Sequence, residues 1–194
     1  MVKNNFDKGP EGWCSYDYHA SMVADGTNVF ILATWAAAED GADHGGSIWT
    51  DHRRWSADTP EHPLSILPLL FYRSWIGADP LDLRQAAVSV YLRGDDLILD
   101  GAQCFFWVVA AGTRWHYTAQ PLAIEDGGWA AIANRFVLAV DEDQWHCSWS
   151  SDPANPTPLD QVLSQAISYG FSFVGFSREV SGKLSMSRFS IDVP

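Results

Sequence analysis

This chain has little sulfur chemistry to offer. Its three cysteines, Cys14, Cys104 and Cys147, are odd in number and have no CxxC spacing. That argues against a disulfide framework or a structural zinc site and leaves buried thiols. Long apolar runs are missing too, and none approaches the ~18 residues that would span a bilayer. The N-terminus, Met1-Val2-Lys3-Asn4-Asn5, lacks the apolar stretch of a signal peptide. A cytoplasmic chain is the default expectation, with a mature or excised piece of a longer protein as the other. Positive charge is scarce: twelve Lys plus Arg face twenty-four Asp plus Glu, a net charge of −12. Such a field repels phosphate backbones and anionic lipid, which excludes nucleic acid and membrane surfaces and suits neutral or cationic ligands, including sugars and calcium.

Catalytic signatures are equally thin. Only six glutamates are present, and none forms an ExDxxE arrangement. A carboxylate pair with split pKa values, as glycan hydrolysis needs, is not visible. There is no GxSxG elbow. The six histidines (His19, His44, His52, His62, His116, His146) show neither HExxH nor other metal-ligand spacing. Whether the chain is an enzyme stays open, with the balance against it. The acidic loop, residues 39–43 (EDGAD), has the clustered oxygens a structural calcium would use, but without EF-hand spacing a solvated loop is the default. No other cofactor is indicated. Arg93-Gly94-Asp95 spells an adhesion tripeptide, but Gly-Asp is expected at a strand end for backbone reasons.

What the chain has in excess is aromatic: ten Trp, ten Phe and six Tyr. That is more than one core between two sheets needs, and a ligand-stacking face would account for the surplus.

Strand patterns dominate. Residues 28–35 (NVFILATW) form a short apolar run. Residues 88–93 alternate, with Val88, Val90 and Leu92 on one face and Ser89, Tyr91 and Arg93 on the other; Gly94-Asp95-Asp96 is expected to end that strand. Residues 104–110 (CFFWVVA) are apolar on both faces and predict a central strand. Further strands are expected at 136–140, 145–149, 171–176 and 183–191. In the last, the apolar parity changes between Met186 and Phe189, which calls for a bulge near Ser187-Arg188. Residues 158–169 carry one helical stripe, with Thr157 as cap, Pro158 at the first position and Gly170 as the stop. A helical turn is expected at 79–83. The fold class is therefore all-β: one domain over 1–194, a two-layer antiparallel β-sandwich (jelly roll) with one short helix near 158–169.

Two segments carry the ligand hypothesis. If residues 45–63 continue as a strand, Trp49, Asp51, Arg53 and Trp55 share one face, with rings to stack on pyranose C–H faces and charges to chelate hydroxyls. The alternative is a surface ion pair beside two core tryptophans. After a tight turn at Gly112, Trp115 and Tyr117 would point together, joined by Trp107 and Tyr91 from neighbouring strands, with Arg93 beside them. An aromatic edge that merely covers the sheet is the other reading.

Three stretches carry a family resemblance. Residues 6–13 (FDKGPEGW), 82–93 (DLRQAAVSVYLR) and Gly175 with 180–191 (VSGKLSMSRFSI) are similar to the first strand, a middle strand and the closing hairpin of galactose-binding-domain-like jelly rolls, the fold of many carbohydrate-binding modules. The family often carries an aspartate in the last strand beside its structural calcium; this chain has Ser187 there, which counts against a family-type calcium site. The resemblance implies a jelly roll that binds a saccharide without catalysis. A glycan-acting hydrolase or lyase, using Asp51 or His52 with Asp58 or Glu61, is the second reading, and a structural or assembly domain the third. Ligand identity and oligomeric state are not legible.

Overall fold

The computed structural model describes residues 1–16, 29–38, 44–59 and 62–194. His19, Glu61 and the acidic loop 39–43 lie outside the described residues. Two sheets face each other across one core. The first orders its strands β11 (Glu125–Asp126), β8 (Ala87–Ile98), β15 (Ser181–Asp192), β5 (Ser47–Asp51) and β4 (Thr34–Ala36). Onto it, β1 (Val2–Asn4) pairs with β15 and β12 (Asn134–Val137) with β8. The second runs β13 (Trp145–Ser150), β10 (Thr113–Tyr117), β9 (Gln103–Ala110), β14 (Ser168–Val174), β7 (Ser65–Tyr72), β2 (Trp13–Tyr16) and β3 (Phe30–Leu32), with β6 (Ser56–Ala57) on β7. Pairing is antiparallel apart from the short β11–β8 contact.

The inner faces follow the period-two rule. Val88, Val90 and Leu92 of β8 are buried against the second sheet while Ser89, Tyr91 and Arg93 look outward. Trp13 sits at the centre, fully buried, with Phe71, Phe171 and Phe189 rings at 5.5, 5.9 and 4.9 Å. Its indole N–H donates to Asn4 Oδ1 at 3.2 Å, which satisfies the one polar atom such a ring brings inside.

β9 is the expected central strand, held between β10 and β14. The bulge in β15 is present as well: its register with β8 shifts between Ser187 and Ser190, and Arg188 takes φ 46°. Other expectations need correcting. In place of one strand over 28–35, Phe30–Leu32 and Thr34–Ala36 are two strands that part at Ala33 and join different sheets, because the Ala33 N–H bonds Trp13 O at 2.9 Å and turns the chain across the sandwich. β8 does not stop at Gly94; Asp96 at φ 50° absorbs an irregularity opposite Ser181 and Lys183, and the strand continues to Ile98. Arg93-Gly94-Asp95 is therefore mid-strand, its Arg93 paired with Asp95 at 2.5 Å. Residues 79–83 form no helical turn, and Leu81 bridges Ala166. That bridge also shortens the helix: α1 spans Leu159–Ser164, because Ala166 is drawn into backbone bonds with Leu81 at 2.9 and 3.0 Å. Pro158 takes the cap position, and Thr157 instead ties the helix to the β9–β10 hairpin through Thr113 and Ala111.

Candidate functional site

The outward face of the second sheet holds a second apolar cluster, separate from the core. It comprises Cys14, Leu67, Leu70 and Trp107, with Tyr16, Phe30, Tyr72 and Val109 packed on it. Trp107 alternates out of β9, and its indole lies across Gly170 of β14. A Cβ on Gly170 would sit 2.8 Å from Trp107 Cζ2 and 2.3 Å from Leu69 O, so only glycine leaves room for a ring laid flat there. The indole N–H donates to Phe171 O at 2.9 Å. Above the ring, 5.9 Å from its centroid, stands the Arg114 guanidinium.

Arg114 is buried on β10 and reaches Asp58 at 2.5 Å; the two side chains are 6% and 8% exposed. Its Nε donates to Ser148 Oγ at 3.1 Å and its Nη2 to Ser65 Oγ at 3.3 Å. Ser65 in turn donates to Asp58. Two charges taken this far out of water persist only when their hydrogen bonds are filled, and this network fills them. The result is a fixed polar floor.

Rings form the walls. Tyr16 meets Phe30 at 4.2 Å, Phe30 meets Trp75 at 4.4 Å, and Trp75 meets Tyr72 at 4.5 Å. Trp149 on β13, 47% exposed, stands at the opposite rim. Burial first, and then the neighbouring Tyr72, push the Tyr16 phenol well above its ordinary range, so it stays a neutral hydroxyl. Tyr16, Tyr72, Trp107, Arg114, Trp149 and Asp58 together line a groove of about 290 Å³. A smaller depression of about 210 Å³ shares Asp58 and adds His116, His146 and Ser148. Rings beside fixed donors and acceptors can stack on one face of a sugar and chelate its hydroxyls.

The residues singled out from sequence scatter by comparison. Trp49, Asp51, Tyr91 and Arg93 do share a surface, the outer face of the first sheet, where Ser185 pairs with both Trp49 and Arg93. Much of that charge is spent internally: Arg93 and Lys183 hold Asp95 at 2.5 and 2.9 Å, and Lys183 sits 5.4 Å from the Trp49 ring centroid. Arg53 is not on the strand, since β5 ends at Asp51 and Arg53 folds back onto that carboxylate at 2.5 Å, holding it below the usual range. Trp55 follows the same turn inward and packs on Phe173 in the core at 5.2 Å. Trp115 and Tyr117 point together, but towards the core. Tyr117 stacks on Phe136 at 5.1 Å, and the Trp115 N–H donates to Thr157 O at 3.0 Å. Trp107 lies opposite His116 in register, hence on the other face, and Tyr91 belongs to the other sheet. The acids of the hydrolase reading are likewise apart in partnership, Asp51 with Arg53 and Asp58 with Arg114. Ser187, in place of the family aspartate, donates to His44 O at 2.6 Å and lies 3.1 Å from Gly46 O. Among the described residues no group of His, Cys, Asp and Glu is placed to hold a metal.

Sequence reasoning missed Tyr16, Tyr72, Trp149 and Arg114, and it named Asp58 only as an acid of the hydrolase reading. Parity held a signal: Arg114 and His116 alternate with the more conspicuous Trp115 and Tyr117, and in a strand with one buried face the polar pair must be the outward one.

No protein-family model matches the chain, and no curated protein matches it. Among solved structures it is similar to the family 11 carbohydrate-binding module of the cellulosomal cellulase Lic26A-Cel5E of Clostridium thermocellum. The identity is 12% and the TM-score 0.51, with 100% of this chain and 96% of that one covered. It is similar also to a family 11 module from Clostridium thermocellum in complex with a β-1,3-1,4-mixed-linked tetrasaccharide, at 12% identity and TM-score 0.51, covering 98% and 94%. This likeness shows the fold: a jelly roll of the kind found in carbohydrate-binding modules.

Proposed function

We propose that the chain is a non-catalytic glycan-binding domain whose ligand lies in the groove on the outer face of the second sheet. One observation carries this reading: exposed and half-exposed rings, Tyr16, Tyr72 and Trp149, surround a buried Arg114–Asp58 pair in one open groove. Stacking supplies the affinity and the fixed charges the orientation. Asp58 is engaged by Arg114 and Ser65, which leaves it a hydrogen-bond acceptor rather than an acid or base in waiting. The solved module with a bound tetrasaccharide makes a β-1,3-1,4-mixed-linked oligosaccharide the first ligand to try.

Calorimetric titration with a β-1,3-1,4-mixed-linked tetrasaccharide and a panel of other neutral oligosaccharides tests the reading. Binding should weaken about tenfold in Trp149→Ala and in Tyr72→Ala, the loss of one stacking contact. The melting temperature of Trp149→Ala should stay close to that of the parent, because the ring is half in solvent. No binding across the panel, or binding indifferent to both substitutions, would refute it.

A further inference from the structure

The outer face of the first sheet carries a second depression, of about 430 Å³. It arises from a row of four paired residues. Lys3 of β1 faces Ser190 of β15, Ser190 faces Ser89 of β8, and Ser89 faces Arg135 of β12. All four point away from the core, since their neighbours Val88, Phe136, Phe189 and Ile191 point into it. Long side chains thus stand at both ends of the row, about three strand spacings or ~14 Å apart, with only two short hydroxyls between. A third cation joins them: Arg188 sits at the β15 bulge in the left-handed conformation and lines the same depression. Tyr91 closes one end, its ring edge-on to His44 at 4.7 Å, and His44 stacks on Trp129 at 5.5 Å.

The charge here runs against the whole molecule. In a chain of net charge −12, three of its twelve Lys and Arg residues converge on one depression. Among the described residues none of the three has a carboxylate partner, whereas Arg53, Arg84, Arg93, Arg114 and Lys183 all do. Among the described residues Asp7 is the single carboxylate lining the site. Uncompensated like charges in one place are unfavourable unless something neutralises them.

We propose that this depression is a second binding site, for an anionic saccharide residue. A carboxylate or sulfate group would lie between Lys3, Arg135 and Arg188, the Arg forks giving charge-assisted hydrogen bonds. Ser89 and Ser190 supply hydroxyl contacts from the floor, and Tyr91 supplies a ring edge. The site is on the opposite sheet from the neutral-glycan groove and stands independently of it.

The test is calorimetric titration of the full chain with three probes: trigalacturonate, a sulfated galactan trisaccharide and inorganic sulfate. At least one of the two saccharides should bind, and the tighter one identifies carboxylate or sulfate as the recognised group. Arg135→Ala/Arg188→Ala should weaken that binding at least about tenfold. Both arginines are exposed, so the fold should survive, as an unchanged melting temperature will show. Trp149→Ala, in the other groove, should leave anionic binding intact. Three results overturn the proposal. Neither saccharide binds. Inorganic sulfate binds as tightly as either saccharide. Or the loss follows Trp149 and not the arginines. Failure of the groove reading is a separate outcome, seen with the neutral tetrasaccharide alone.

Discussion

At the residue scale the most informative side chain is His116. It sits in β10 next to Arg114, 2% exposed, with its Nε2 unpartnered among the described residues. Burial above all, then the Arg114 and His146 charges, pull its pKa from 6.5 down to about 3. Between about pH 3 and 6.5 the imidazole is therefore neutral in the folded chain where the unfolded chain would protonate it. Between those two values the unfolded state binds the extra proton, so stability is complete above about pH 6.5 and drains as pH falls towards the folded value. The aspartates with depressed values, Asp51, Asp82 and Asp95, act with the same sign but only near and below their ordinary 3.8. Among the described residues whose values are shifted, only His116 titrates between about pH 4 and 6.5. Urea unfolding at pH 7 and pH 5 should differ by about 2 kcal/mol, and His116→Gln should remove most of that difference. An equal slope in the variant would show that another group carries it.

At the scale of elements, the central strand β14 explains why the groove is flat. Gly170 pairs with Leu70 on one side and Trp107 on the other, and the indole occupies the space a side chain would take. Gly170→Ala brings a methyl against the Leu69 carbonyl, which is backbone and cannot rotate away. The substitution should cost about 1–3 kcal/mol in denaturant unfolding and raise Trp107 out of the floor. A variant as stable as the parent would mean that β14 and β7 part easily. The same elements show what the sequence carried. Residues 88–93 and 104–110 read correctly because burial on one or both faces leaves a period in the residues themselves. The bulge at Ser187-Arg188 was visible as a break in that period. The split at Ala33 was not, because two strands of different sheets with no polar residue between them look like one apolar run. Nor was the end of β5 at Asp51, after which alternation no longer places Arg53 or Trp55. The groove floor was the least legible part. Arg114 and Asp58 lie 56 residues apart, and nothing local announces that they meet.

At the scale of the whole molecule, two faces with different electrostatics occupy one sandwich, and salt should separate them. The net charge of −12 repels an anionic ligand from all directions, while Lys3, Arg135 and Arg188 attract it only on contact. These effects have different ranges. At about 0.01 M salt the screening length is near 30 Å, longer than the reach of one sheet, so the whole acidic surface acts on an approaching anion. At about 0.1 M it falls to roughly 10 Å, which removes most of that repulsion and leaves contacts of hydrogen-bond length almost untouched. At about 1 M it is near 3 Å, and the contacts themselves weaken. The affinity of the chain for an acidic trisaccharide should therefore rise from about 0.01 to 0.1 M and fall again towards 1 M. A neutral oligosaccharide in the opposite groove carries no charge for the field to act on, and its affinity should stay level throughout. Titrations of both ligands at the three salt concentrations decide the matter. A steady fall for the acidic ligand from the lowest salt upward would mean that the acidic surface does not reach the site. A parallel response of the two ligands would mean that they share a single site.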